Sequence, residues 1–247
     1  MIGLESEMHQ PDLFLWYTTG WEYCFIVAVL TPETLERDRN FTHNFVVNVL
    51  DGGFFGLGMG FGSLGTVIPL FVSMLTDSAI LIGLIPSIHV VGLQLPQLFT
   101  VQHVSRQRRY KPMVMLRTMQ ERLPFLGLAV IAWFLPKIGP QIALGLTFGM
   151  LVWQGLGGGF TATAWQSMVG KIIPGDRWGL FFGFQSAAAS LFASGSAILA
   201  GIILERVVSP INYTICFLLT SAGMVLSWVF LNRTKEGEGP AVQPEDT

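Results

Sequence analysis

Asp51 and His89 are the side chains that could change charge within the apolar stretches of this 247-residue chain. A carboxylate or imidazole there is costly to leave unpaired, so each belongs to a hydrogen-bonded helix contact or to the path of a solute or proton. Both readings stand for each residue. Asp51 lies about 9 Å along a helix from Phe45, near enough to one end to be wet or to favour a helix N-terminus. Thr147, Gln154 and Thr161 recur at seven-residue intervals, and Gly158 and Trp165 share their side of a 3.6-residue helix. In lipid such a face turns inward, either to bond a neighbouring helix or to wall a wet cavity where amide, hydroxyl and indole meet a ligand. No nucleophile elbow, phosphate loop or metal-ligand spacing occurs in the sequence, and Cys24 and Cys216 lie far apart in apolar runs. The residues therefore point to no covalent chemistry, no cofactor and no metal. A membrane-embedded enzyme would need Asp51 and His89 as its pair.

The elements that must position these groups are set by composition. Hydrophobic residues make up 51% and charged residues 12%, against about 25% charged in soluble domains. Mean hydropathy is +0.55. With a formal net charge of -2, there is no basic excess to hold a nucleic acid. The expected solvent is the bilayer, whose core takes about 20 apolar residues to cross as a helix. Five stretches without Asp, Glu, Lys or Arg fit that length: 79–101, 123–135 with an extension toward Met113, 138–170, 178–204 and 207–231. A sixth, 45–75, holds Asp51 alone. The sequence thus predicts an all-α polytopic protein: an N-terminal cytoplasmic or interfacial segment 1–44, a six-helix membrane domain 45–232, and a flexible cytoplasmic tail or linker 233–247.

Basic residues near span ends stay in the cytoplasm. Of the 14 Lys and Arg, 12 fall in connections on one side of this topology, leaving Lys137 and Arg206 on the other. The six-helix domain is therefore expected in the cell membrane with both of its ends on the cytoplasmic side. Residues 13–30 form a further apolar stretch broken by Glu22, read as interfacial or disordered, with a seventh span as the alternative.

Small residues mark where helices close on each other. Gly52, Gly56 and Gly60 repeat at four-residue steps in the first span, with Gly58 and Gly62 on an adjacent face. Ala189, Ala193, Ala197 and Gly201 repeat the device in the fifth, beside Ser186, Ser190 and Ser194. Pro86 and Pro96 in the second span favour kinks.

Three motifs carry a family resemblance. Ser105 to Pro112, with Arg106, Arg108, Arg109 and Lys111, resembles the basic loop between helices two and three of major facilitator superfamily transporters, without the Gly and Asp that usually precede the arginines. Gln154-Gly155-Leu156-Gly157-Gly158 is similar to that family's fourth-helix motif, although Leu151 stands where the family has arginine. Ile173 to Gly179, including Asp176 and Arg177, followed by Phe182-Gly183, resembles its four-to-five loop with Trp178 inserted.

The resemblance covers residues 35–235 and implies the amino-terminal half of such a transporter. In that fold three-plus-three inverted repeats form each half, and substrate binds between halves near the midplane. It implies a secondary transporter half, or fragment, that moves a small solute by alternating access. Asp51, His89, Thr147, Gln154, Thr161 and Trp165 would face the substrate cavity, and Arg106, Arg108, Arg109, Asp176 and Arg177 would form the cytoplasmic gate. Its partners would be the bilayer, an unidentified solute, and a second six-helix half or a copy of itself. The alternative is a non-transporting membrane subunit or regulatory protein built on the same fold.

Overall fold

The computed structural model describes residues 32–105 and 107–237. Residues 13–30, Arg106 and the end of the expected tail lie outside the described residues. Seven α-helices and one short 3-10 turn make up the architecture, with no strand among the described residues. They are α1 (Pro32–Phe61), α2 (Val67–Ser73), α3 (Ala79–Ser105), α4 (Lys111–Ile138), α5 (Pro140–Ile172), α6 (Trp178–Arg206) and α7 (Ile211–Leu231); the 3-10 turn, Gly175–Arg177, precedes α6. Four of the long helices, α3, α5, α6 and α7, are long and apolar enough to cross a membrane. The chain is built as a membrane protein. α1 and α4 match them in length, at 30 and 28 residues, but carry charged residues along their course.

Two expected boundaries move. The apolar stretch 45–75 is not one helix: α1 already begins at Pro32, and the chain breaks after Phe61, where Ser63 accepts the backbone N–H groups of Thr66 and Ile68 at 3.3 and 3.0 Å. The remainder forms α2, whose Phe71 ring meets Tyr213 and Phe217 at centroid distances of 5.2 and 5.4 Å. α4 starts at Lys111, with Pro112 in its first turn, where proline's missing N–H costs no helical bond. Arg117, Glu121 and Arg122 are therefore helical residues and not part of a loop.

Between α4 and α5 there is almost no connection. Gly139 ends α4 with φ +78°, a conformation that favours glycine, and its N–H bonds Leu135 O at 3.0 Å. Pro140 then opens α5.

The helices pack in a definite pattern. α1 lies against α6 and α7, α5 lies against α3 and α4, and α4 and α7 join the two sets. Small residues permit the approach of α1 to α6 and α7 and of α5 to α3 and α4, but Ala197 and Gly201, expected in the same row of α6, are exposed because that face of α6 turns away from α1. A Cβ on Gly52 would come 2.5 Å from Gln185 of α6, and Gly56 and Gly60 face Ala189 and Ala193 of the same helix. Gly58 backs onto Gly223 of α7; a Cβ on Gly223 would lie 2.8 Å from the Gly58 nitrogen. Gly155 meets Gly92 of α3, while Gly157 meets the backbone of Gln120 and Glu121.

Buried apolar side chains gather in two clusters. One contains Phe71, Ile85, Phe125 and Phe217; the other contains Val114, Met168, Phe181 and Leu231. Along α1, α4, α5, α6 and α7 the residues between these clusters are Asp51, Thr118 to Arg122, Gln154 to Thr161, Gln185 and Ser227. These side chains, with the charges of α1 and α4 among them, occupy a layer between the two apolar clusters.

Candidate functional site

Asp51 lies in that layer, 19 residues after the start of α1 and so about 28 Å along it. The expectation of a wet position near a helix end fails because α1 begins 13 residues before Phe45. Asp51 is 6% exposed. Its Oδ1 accepts from the Ser227 hydroxyl at 2.5 Å and from Arg122 Nη2 at 3.4 Å. The same guanidinium donates to Ser227 Oγ at 2.6 Å and to the Thr118 hydroxyl, and stands 6.0 Å from the centre of the Phe55 ring. Ser227 therefore accepts from the arginine and donates to the carboxylate, tying α1, α4 and α7 together. Arg122 Nε is buried without a hydrogen-bond partner.

Glu121 precedes Arg122 and points elsewhere, as a 100° step around the helix requires. It is half-buried and faces α5, where a Cβ on Gly158 would come 3.3 Å from Glu121 Oε1. Gly158 leaves room for the carboxylate. Between α1, α4, α5 and α6 these groups border a cavity of about 280 Å³, with Trp165, Thr161, Gln185 and Ser186 on its walls. Its lining is mostly apolar, with a few convergent polar groups, as in small-molecule pockets.

The sequence-derived candidates divide around this cavity. Asp51, Thr161 and Trp165 line it. His89 and Gln154 do not: His89 Nδ1 donates to Gln154 Oε1 at 2.9 Å, a contact between α3 and α5. The Gln154 amide nitrogen is buried without a partner. Thr147 is fully buried, away from the cavity, and its hydroxyl has no partner. Glu121 and Arg122 were missed because both were assigned to a connection. Pro112 was the available signal: a helix starting there carries position 122 nearly three turns inward.

The expected gate residues lie at the opposite end of α4 from Gly139. Arg108 and Arg109 are exposed; Arg108 O accepts from Lys171 Nζ at 3.0 Å. Asp176 and Arg177 are 3.9 Å apart at the surface, with the Arg177 guanidinium 4.8 Å over the Phe41 ring. Glu236, expected in a flexible tail, is instead fixed here. Its carboxylate accepts the backbone N–H groups of Tyr110 and Lys111 at 2.8 and 2.7 Å and meets Lys171 Nζ at 3.4 Å. Asn44 and Lys235 exchange two hydrogen bonds of 2.8 Å, and Asn48 donates to the Thr234 hydroxyl at 3.1 Å. Residues 234–236 form a strap across the middle of α1, the start of α4 and the end of α5.

No group of three His, Cys, Asp or Glu side chains that could hold a metal ion occurs among the described residues. Compared with protein families, curated proteins and solved structures, the chain matches none.

Proposed function

We propose that this chain is the amino-terminal six-helix half of a major facilitator type transporter, carrying a small solute across the cell membrane by alternating access. The observation that carries this reading is the charged cavity in the middle layer, bordered by the first and fourth long helices, where a site shared between halves would lie. The packing supports it. Exchanging α1, α3 and α4 with α5, α6 and α7 turns each major helix contact into another: α1 on α6 becomes α5 on α3, α1 on α7 becomes α5 on α4, and α4 on α7 becomes itself. A three-plus-three repeat would produce such an exchange, and in this reading α1 and α4 complete six spans. The strap end faces the cytoplasm in this reading, consistent with the basic residues gathered there. Exposed Ser190 and Ser194 on α6 would meet a second six-helix unit, either another half or a copy, and not lipid.

No enzymatic step is invoked. Uptake of a solute panel into vesicles tests the proposal, using the chain reconstituted alone and with a second six-helix unit. Saturable uptake only with the second unit is expected. Saturable uptake by the chain as a monomer would contradict the half-transporter reading. The absence of uptake in either arrangement would favour a non-transporting subunit, for which the Asp51–Arg122–Ser227 tie is purely structural.

A further inference from the structure

We propose that the cavity between α1, α4, α5 and α6 is a site for a small organic monocation, with Glu121 as its anionic ligand and Trp165 as an aromatic wall. The inference deepens the transport reading and rests on it for its physiological role, but binding itself does not require transport.

Three ionisable side chains border the cavity: Asp51 from α1, and Glu121 and Arg122 from α4. α5 contributes Gly158, Thr161, Ala162 and Trp165, and α6 contributes Gln185, Ser186 and Ala189, none of them charged. Two carboxylates against one guanidinium leave one negative charge over. The geometry decides which carboxylate carries it. Both terminal nitrogens of Arg122 are engaged, by Thr118 on one side and by Ser227 and Asp51 on the other. Asp51 also takes the Ser227 hydroxyl. Glu121 makes no hydrogen bond or ion pair of 4 Å or less with any described residue, yet it stands inward, in space that Gly158 leaves open.

A carboxylate without a direct partner in the middle layer of a membrane bundle is costly to ionise unless a counter-charge joins it, and otherwise holds a proton that a cation would displace. A cation in the cavity supplies that charge, and the neighbouring Trp165 ring adds cation–π attraction. The volume, about 280 Å³, lies just below the usual range of ligand pockets and suits a compact amine or quaternary ammonium.

The test is calorimetric titration of the full chain in lipid nanodiscs with benzyltrimethylammonium, its neutral carbon isostere neopentylbenzene, and benzoate. The cation should bind, and both comparison compounds should bind at least about tenfold more weakly. Glu121→Gln should weaken the cation by about tenfold or more. Glu121→Asp should restore part of the affinity, and Glu205→Gln, at an exposed site outside the cavity, should change nothing. Equal binding of cation and isostere by the unaltered chain would overturn the proposal without reference to any variant. So would failure of the cation to bind, or an unchanged affinity in a folded Glu121→Gln chain. Cation binding without vesicle uptake would leave this site standing and remove the transport reading; saturable uptake of neutral solutes without cation binding would do the reverse.

Discussion

The Ser227 hydroxyl of α7 and the Asp51 carboxylate of α1 lie 2.5 Å apart, and Arg122 of α4 donates to both. Removing one member leaves the others buried and underpaired. Asp51→Ala should therefore destabilise the bundle by about 3–5 kcal/mol, because the guanidinium loses its counter-charge inside the protein. Asp51→Asn combined with Arg122→Met should recover much of that loss. Unfolding in detergent, followed by circular dichroism, measures both. An Asp51→Ala chain as stable as the parent would show that the tie holds nothing.

Glycine positions separate contact from open space. Gly155→Ala places a Cβ 3.2 Å from both Gly92 Cα and the Ile88 carbonyl oxygen, and should cost about 1–3 kcal/mol by prising α3 from α5. Gly149→Ala, six residues earlier on the same helix, meets nothing within 4 Å and should stay within about 0.5 kcal/mol of the parent. Comparable melting temperatures for the two variants would contradict the packing described.

The cavity should be reachable by water where the His89 contact is not. In a chain lacking Cys24 and Cys216, Thr161→Cys and Ala162→Cys should react with small water-soluble thiol reagents, since both positions border the cavity. Gln154→Cys, at a position 2% exposed and turned toward His89, should be protected. Equal reaction at all three would mean that water fills the α3–α5 contact as well.

What the sequence made legible was the part governed by long runs. Ala79 onward, Trp178 onward and Ile211 onward hold no charge for some twenty residues, and helices form there with ends near those expected. The small-residue steps matched in part: Gly52, Gly56 and Gly60 pack against Gln185, Ala189 and Ala193, whereas Ala197 and Gly201 are exposed. The seven-residue spacing of Thr147, Gln154 and Thr161 misled. A helix drifts about 20° per heptad, and its neighbours cross at different heights, so three residues on one stripe met an apolar cluster, α3 and the cavity in turn. Glu121 and Arg122 escaped because a charge at the edge of an apolar run looks like the start of a loop; the counter-charge of Arg122, Asp51, stands 71 residues earlier, and Glu121 has none beside it in sequence.

Sidedness can be read from four exposed positions in the same cysteine-free chain. Arg39→Cys and Lys235→Cys should label from the cytoplasmic face with an impermeant reagent, and Asp77→Cys and Ser209→Cys from the outer face. Asn44 and Thr234, only 1% and 2% exposed, would label poorly from either side. Labelling of Asp77→Cys only after the membrane is opened would invert the topology.

Glu236→Ala should lower stability by about 0.5–2 kcal/mol, the usual cost of losing a helix N-terminal acceptor, since two N–H groups at the start of α4 lose their partner. Lys171→Met should cost less, because the Glu236 carboxylate keeps both backbone donors. The reverse order would assign the strap's hold to the ion pair.

The single residue between α4 and α5 makes these helices the arms of a pair of tongs. Gly139 is the pivot, with nothing within 4 Å of where its Cβ would be. The arm formed by α4 is 28 residues, about 42 Å, so a tilt of roughly 10° at the pivot would carry its far tip about 7 Å. At that tip Glu236 bonds one arm through Tyr110 and Lys111 and the other through Lys171. The tongs are joined at one end and clasped at the other, and at their midpoint, where Glu121 faces Gly158, Gly157 packs directly on the backbone of Gln120 and Glu121, so any tilt must part that contact as well as the clasp.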